Sequence, residues 1–167
     1  MIAYIAAMLD EPEPDFPKGT PDEAELFLRW LRYLRGSVIR KISGLSETDA
    51  RWTPDSRLTS LIGIVNHLTH VEWRWIDGAM LGAETSRSES EFTPGPELTV
   101  GRAIAAYRAR GAATDSAVWS IASLAEPTRL GDGTDLRWVL VHLINETARH
   151  AGHADATREM LDGITGE

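Results

Sequence analysis

Residues 135–163 read DLRWVLVHLINETARHAGHADATREMLDG, and they contain the longest helical pattern of the chain. Asp135, or Thr134 before it, can cap the start of a helix, and Gly163 is a typical stop signal after its end. Between these residues, apolar and small side chains recur at helical spacing and no proline interrupts them. We therefore predict a long helix that runs to Leu161.

The same helix carries a stripe of polar side chains. His142, Glu146 and His150 are spaced by four residues, and His153 follows by three. Because an α-helix turns ~100° per residue, all four side chains lie along one face. Unpaired polar groups that become buried cost roughly 1–3 kcal/mol each, so such a stripe needs partners. A divalent metal ion would satisfy several of these groups together.

The Glu146–His150 pair has the spacing at which two side chains of one helix converge on one ion. A third ligand must come from another helix, and His67 stands among apolar neighbours in a second helical segment. The predicted metal ligands are therefore His67, Glu146 and His150. Three protein ligands leave positions open for water or substrate, which is typical of a reactive site rather than a structural one.

Spacing leaves other arrangements of the histidines open. His150 and His153, three residues apart, are an alternative ligand pair. The alternative role of His142 is to orient a ligand through a hydrogen bond, and that of His70 is to face solvent.

Three further helices are predicted upstream. Residues 1–19 are proline-rich and expected to be irregular. Thr20 as N-cap, Pro21 at the first helical position and Glu23 as a capping-box partner begin the first of these helices, which ends before Gly44. Its predicted apolar stripe consists of Leu26, Trp30, Tyr33, Leu34, Val38 and Ile42.

The second of these helices should start near Thr59 or Ser60 and stop at Gly82. Residues 83–97 are expected to form a surface loop because they are rich in Ser, Thr, Gly and Pro. Thr99 then caps another helix that extends to about Leu124. Four such helices predict an all-α fold, a four-helix bundle over residues 20–163.

Composition excludes several classes of function. A formal net charge of -8 argues against nucleic-acid binding, which relies on clustered Lys and Arg. No apolar run approaches the ~20 residues that a membrane span needs, and we expect a cytoplasmic protein. The chain has no cysteine, so any thiol chemistry must use a thiol from outside the protein.

Two segments, Asn66–Glu72 and Glu146–Asp155, resemble the DinB-like superfamily. More narrowly, they are similar to its actinobacterial branch, which includes mycothiol-dependent S-transferases and maleylpyruvate isomerase-like metal-binding proteins. The resemblance implies a four-helix bundle, commonly a homodimer, that binds a divalent ion through His67, Glu146 and His150. Most relatives carry His where this chain has Glu146, and maleylpyruvate isomerase-like members carry Glu. His153 stands where many relatives have Gln.

The resemblance implies that the ion activates a low-molecular-weight thiol such as mycothiol. The leading hypothesis is S-transfer from this thiol to an electrophilic small molecule, with His153 as a catalytic proton carrier. Zinc is the expected ion, and nickel, iron or manganese also suit imidazole and carboxylate ligands. The alternatives are a thiol-dependent isomerase of the maleylpyruvate type and a metal-binding or ligand-binding module without turnover.

Overall fold

The computed structural model describes residues 16–20, 22–54 and 58–165, and within them the chain is all-α. The helices are α1 (Glu23–Ile42), α2 (Glu47–Ala50), α3 (Leu61–Trp73), α4 (Val100–Ser120) and α5 (Leu136–Asp162). Helix α3 continues as a π-helix over Arg74–Met80, and a short 3-10 helix spans Glu89–Phe92. The predicted all-α fold is confirmed.

The four long helices pack as a bundle. Helix α1 packs mainly against α5, and α3 packs against both α4 and α5. Within the described ranges, β-structure is limited to an isolated bridge between Pro127 and Asp135. No helix in this part of the chain is long and apolar enough to cross a membrane. This arrangement sets the inner faces of α3 and α5 side by side, which decides where the site forms.

The apolar core lies between these inner faces and consists of two clusters. One cluster joins the C-terminal half of α1 to the first turns of α3, the first half of α4 and the later part of α5. The other joins the first half of α1 to the π-helix and the first turns of α5. Fully buried side chains in the two clusters include Ile42, Ile62, Leu68, Tyr107, Leu28, Leu31, Leu140 and Leu143.

The start of α1 differs from the prediction. Asp22, not Thr20, is the N-cap, and its carboxylate accepts a hydrogen bond from the Glu25 amide at 2.9 Å. Aspartate is a better N-cap than threonine, and Asp22 stands closer to the apolar stripe that the helix must bury. Pro21 lies outside the described residues, as do residues 1–15 of the predicted irregular segment, while residues 16–20 are not helical.

The buried face of α1 is also rotated from the predicted stripe. Trp30 and Tyr33 are half-buried because they pack edge-to-face against Phe16, with ring centroids 5.2 and 5.5 Å apart. The side chains that face the core are Leu28, Leu31, Arg35, Val38, Ile39 and Ile42. A charged residue thus occupies a central core position of this helix.

Arg35 is tolerated in the core because acidic side chains surround it. Its Nε and Nη2 donate to the two carboxylate oxygens of Glu72 at 2.8 and 2.7 Å, and its Nη1 lies 2.9 Å from Asp115 Oδ1. Burial alone would lower the pKa of Arg35, but the Glu72 carboxylate and its hydrogen bonds raise it overall. Gly111 of α4 leaves room for this guanidinium, since a Cβ there would lie 3.1 Å from Arg35 Cδ and Nε.

Helix α4 ends at Ser120, earlier than the predicted Leu124. The chain after Ser120 makes hydrogen bonds with the start of α5 instead of continuing the helix. The carbonyl of Leu124 accepts from the Arg137 amide at 2.9 Å, and that of Glu126 accepts from the Leu136 amide at 3.0 Å. These bonds secure the N-terminus of the helix that carries the polar stripe.

Candidate metal centre

The bundle brings together the three side chains that the sequence singles out as metal ligands. His67 comes from α3, and Glu146 and His150 lie one turn apart on α5. One potential ligand atom from each side chain lies within 4.8 Å of the other two. The imidazole rings of His67 and His150 meet edge-on, with centroids 4.9 Å apart. Two helices distant in sequence therefore converge on one point.

Both histidines of this group are buried and favour the neutral form. Burial lowers the pKa of His67, although the neighbouring Glu91 carboxylate opposes the shift. Burial, followed by the charge of His67, lowers the pKa of His150 to about 4. Near neutral pH the two rings therefore offer lone pairs without competition from protons, as metal ligands must.

His150 also has an unsatisfied atom. Its Nδ1 is buried and has no hydrogen-bond partner in the described part of the chain. A buried polar atom without a partner costs free energy, so native proteins usually satisfy it. Two neutral imidazoles and a carboxylate are also a typical ligand set for zinc and similar ions. The residues present therefore fit a divalent ion.

Glu91 belongs to this site, and sequence reasoning missed it. The predicted surface loop 83–97 contains the 3-10 helix, which turns the Glu91 side chain inward until it is 5% exposed. Its Oε2 lies 3.3 Å from His67 Nδ1, and its Oε1 accepts a hydrogen bond from the Arg74 guanidinium. The available signal was the capping-box spacing from Ser88 to Glu91, which the structure forms.

The 3-10 helix packs closely on α3. The carbonyl oxygen of Phe92 is so near Gly63 that a Cβ at that position would lie 2.2 Å from it. The Phe92 ring stacks on His67, with centroids 4.2 Å apart. Asn66 Nδ2 donates to the Glu91 carbonyl at 2.8 Å. A side chain larger than hydrogen at position 63 would thus push the segment away from His67.

A cavity of about 510 Å³ opens beside two of the three side chains, His67 and Glu146. Its lining includes His67, Glu146, Arg74, Trp75, Arg87 and His142. One wall is aromatic, because His142 lies 4.6 Å from the Trp75 ring and stacks on Trp138 at 5.1 Å. His142 thus packs against two indoles, and its predicted role in orienting a ligand stays a prediction. A small molecule in the cavity would contact the potential ligands directly.

The remaining histidines lie outside the group of three. His153 is exposed, and its ring meets that of His150 at a centroid distance of 5.5 Å. His70 Nδ1 lies 2.8 Å from the Asn66 carbonyl, and His70 lines a second cavity of about 660 Å³, which Glu91 also lines. His153 is therefore beside one of the three side chains, while His70 lines the second cavity.

Glu146 forms an ion pair with an arginine on the same helix. Arg149 Nη2 lies 3.1 Å from Glu146 Oε2, although the arginine side chain is 61% exposed. Because the arginine is largely in solvent, this ion pair contributes little to stability. It leaves the carboxylate available to a cation in the cavity.

Comparison with known proteins adds one finding to this geometry. A family model described as Mycothiol-S-transferase matches residues 26–163, which include α3, α4, α5 and nearly all of α1. A search of curated proteins finds no match.

Proposed function

The chain belongs to the mycothiol-S-transferase family, and we propose on that premise that it joins mycothiol or a related small thiol, through its sulfur, to an electrophile. The observation that carries this proposal is the convergence of His67, Glu146 and His150, two of which, His67 and Glu146, line an open cavity. The absence of cysteine from the chain agrees with a reaction in which the thiol is a substrate.

His67, Glu146 and His150 would hold a divalent ion, with zinc as the leading candidate and nickel, iron or manganese as alternatives. When bound, such an ion supplies Lewis acidity, which lowers the pKa of a coordinating thiol toward neutrality. The protein contributes neutral imidazoles, because burial lowers the pKa of both histidines.

The cavity walls would orient the electrophile. Trp75 and His142 offer flat apolar surfaces, and Arg87 is an exposed cation at the same cavity. Sulfur would form a bond to the electrophilic carbon while the leaving group departs with its electron pair, so nothing is oxidised or reduced. The exposed imidazole of His153, whose ring meets that of His150, would accept the proton that the thiol loses.

The experiment compares the purified protein with the His67→Ala and His150→Ala variants. Elemental mass spectrometry measures bound metal, and mass spectrometry of the products detects a thioether formed from the thiol and an alkyl halide. We expect about one equivalent of metal and thioether formation in the unsubstituted protein, and the loss of both in each variant. His70→Ala is the matched control, because His70 lies on the same helix but faces the other cavity.

Thioether formation by a metal-free His67→Ala/His150→Ala double variant would refute the proposal. Turnover of an unsaturated substrate without consumption of the thiol would identify the isomerase alternative instead. Tight metal binding with no thiol-dependent reaction would identify a binding module. The homodimer and the cytoplasmic location expected from the sequence stay predictions.

A further inference from the structure

The two histidines of the candidate centre are supported unequally. His67 Nδ1 lies 3.3 Å from the Glu91 carboxylate, whereas His150 Nδ1 has no hydrogen-bond partner among the described residues. A carboxylate can only accept hydrogen bonds, so the Nδ1 of His67 must carry the proton of this contact. The Nε2 of a neutral His67 ring then carries the lone pair.

Glu91 is itself held from several sides. Its Oε1 receives hydrogen bonds from the Arg74 guanidinium and, at 3.3 Å, from the Ser88 amide. Its backbone carbonyl accepts from Asn66 at 2.8 Å, so the segment is tied to the helix that carries His67. One carboxylate oxygen of Glu91 therefore contacts Arg74 and the other contacts His67. Rotation of the carboxylate would break both contacts.

We propose that Glu91 is a positioning residue, which fixes the tautomer and the orientation of His67 so that this histidine is the better-anchored ligand of the ion. The inference rests on the proposed metal-binding function of the site. Carboxylates that accept a hydrogen bond from a metal-bound histidine orient the ring and raise its basicity. Arg74 pairs with the other carboxylate oxygen of Glu91 and so holds this side chain in place.

The test measures zinc affinity by competition with a chromophoric chelator, with no thiol or electrophile present. Loss of such a carboxylate typically weakens metal binding about 10- to 100-fold, and we expect this in Glu91→Ala. Glu91→Gln should weaken binding less, because its amide oxygen still accepts from Nδ1 while the negative charge is gone. Glu89→Gln is the matched control, since Glu89 is exposed on the same 3-10 helix.

A second readout separates positioning from general destabilisation. Nitrogen chemical shifts of the imidazole rings in the zinc-free protein report which ring nitrogen carries the proton. His67 should carry it on Nδ1 in the unsubstituted protein and shift toward the Nε2 form in Glu91→Ala, while His70 stays unchanged. A helical circular dichroism spectrum verifies that each variant is folded.

The zinc affinities and the His67 tautomer distinguish failure of the inference about Glu91 from failure of the proposed function. Equal zinc affinity of the unsubstituted protein and Glu91→Ala overturns the inference and leaves the proposed function standing. An unchanged His67 tautomer in Glu91→Ala also overturns it. Absence of zinc binding in the unsubstituted protein overturns the proposed function and the inference together. Weaker binding in Glu91→Ala with a shifted tautomer supports both.

Discussion

Replacement of Glu72 by leucine tests the buried ion pair that joins α1 to α3. The substitution removes the carboxylate that accepts from Arg35 Nε and Nη2 at 2.8 and 2.7 Å. The guanidinium stays charged and buried, and its remaining acidic partner is Asp115, 2.9 Å from Nη1. Glu72→Leu therefore leaves a cation in the core with one of these three charge-assisted hydrogen bonds.

The expected loss of stability follows from burial. The side chains of Arg35 and Glu72 are 7% and 2% exposed, so solvent cannot replace the lost carboxylate. Removal of one partner from a buried pair costs about 3–5 kcal/mol, and the contact with Asp115 places the expectation near the lower limit, about 3 kcal/mol. For a domain of this size, that corresponds to a fall in Tm of roughly 6–12 °C.

Urea denaturation followed by circular dichroism measures the change. Glu25→Gln is the control, because Glu25 pairs with Arg29 at 2.8 Å and that arginine side chain is 43% exposed. Its effect should stay within about 0.5 kcal/mol. A Glu72→Leu variant that stays within about 1 kcal/mol of the unsubstituted protein would refute the reasoning, because it falls well short of the penalty for an unpaired buried charge.

A double replacement separates the loss of the pair from the cost of an unpaired charge. The double variant Arg35→Met/Glu72→Leu has no charged side chain at either position, so neither leaves an unpaired charge in the core. Asp115 still pairs with Arg32, because the Arg32 Nε lies 2.7 Å from Asp115 Oδ2. We expect the double variant to be more stable than Glu72→Leu alone, since apolar replacements of buried pairs are often neutral. Strictly additive effects of the two single substitutions would contradict this.

Three further predictions use the same assays. Gly111→Ala should lower the free energy of unfolding by about 1–2 kcal/mol, because the added Cβ lies 3.1 Å from the immobilised Arg35 and overpacking outweighs the gain in helix propensity. Without metal, the free energy of unfolding should fall as pH drops from 6.5 toward about 4, because His150 takes up a proton over this range in the unfolded chain but not in the folded protein. His150→Ala should make the free energy of unfolding less dependent on pH. The same pH dependence in this variant would contradict the prediction. Gly63→Ala should weaken zinc binding in the chelator assay, because the new Cβ would lie 2.2 Å from the Phe92 carbonyl oxygen; unchanged affinity would contradict this.

The helices were predictable because their signals are local. Asp135 caps α5 and Gly163 follows it at a φ of 77°, as the sequence predicts. The grouping of Glu146 and His150 follows from helical spacing alone. Their convergence with His67 required a tertiary contact, which the apolar neighbours of His67 and the family resemblance indicated.

The missed features depend on partners that are distant in sequence. An arginine is expected at the surface unless acidic partners such as Glu72 and Asp115 are known to contact it. Periodicity therefore predicts an apolar stripe through Trp30 and Tyr33 and leaves Arg35 out. Glu91 lies in a segment without periodicity, and its partner His67 stands on another helix. Periodicity identifies apolar faces, but it carries no information about which buried charge meets which.

The placement of the candidate ligands on α3 and α5 links metal supply to the amount of folded protein. An unfolded chain separates these helices, so an ion that binds through both would bind the folded state alone. Free ion at a thousand times its Kd would then add about 4.1 kcal/mol to the free energy of unfolding. In a cell short of metal, a larger unfolded fraction would reach the proteases, and the abundance of the protein would follow metal availability.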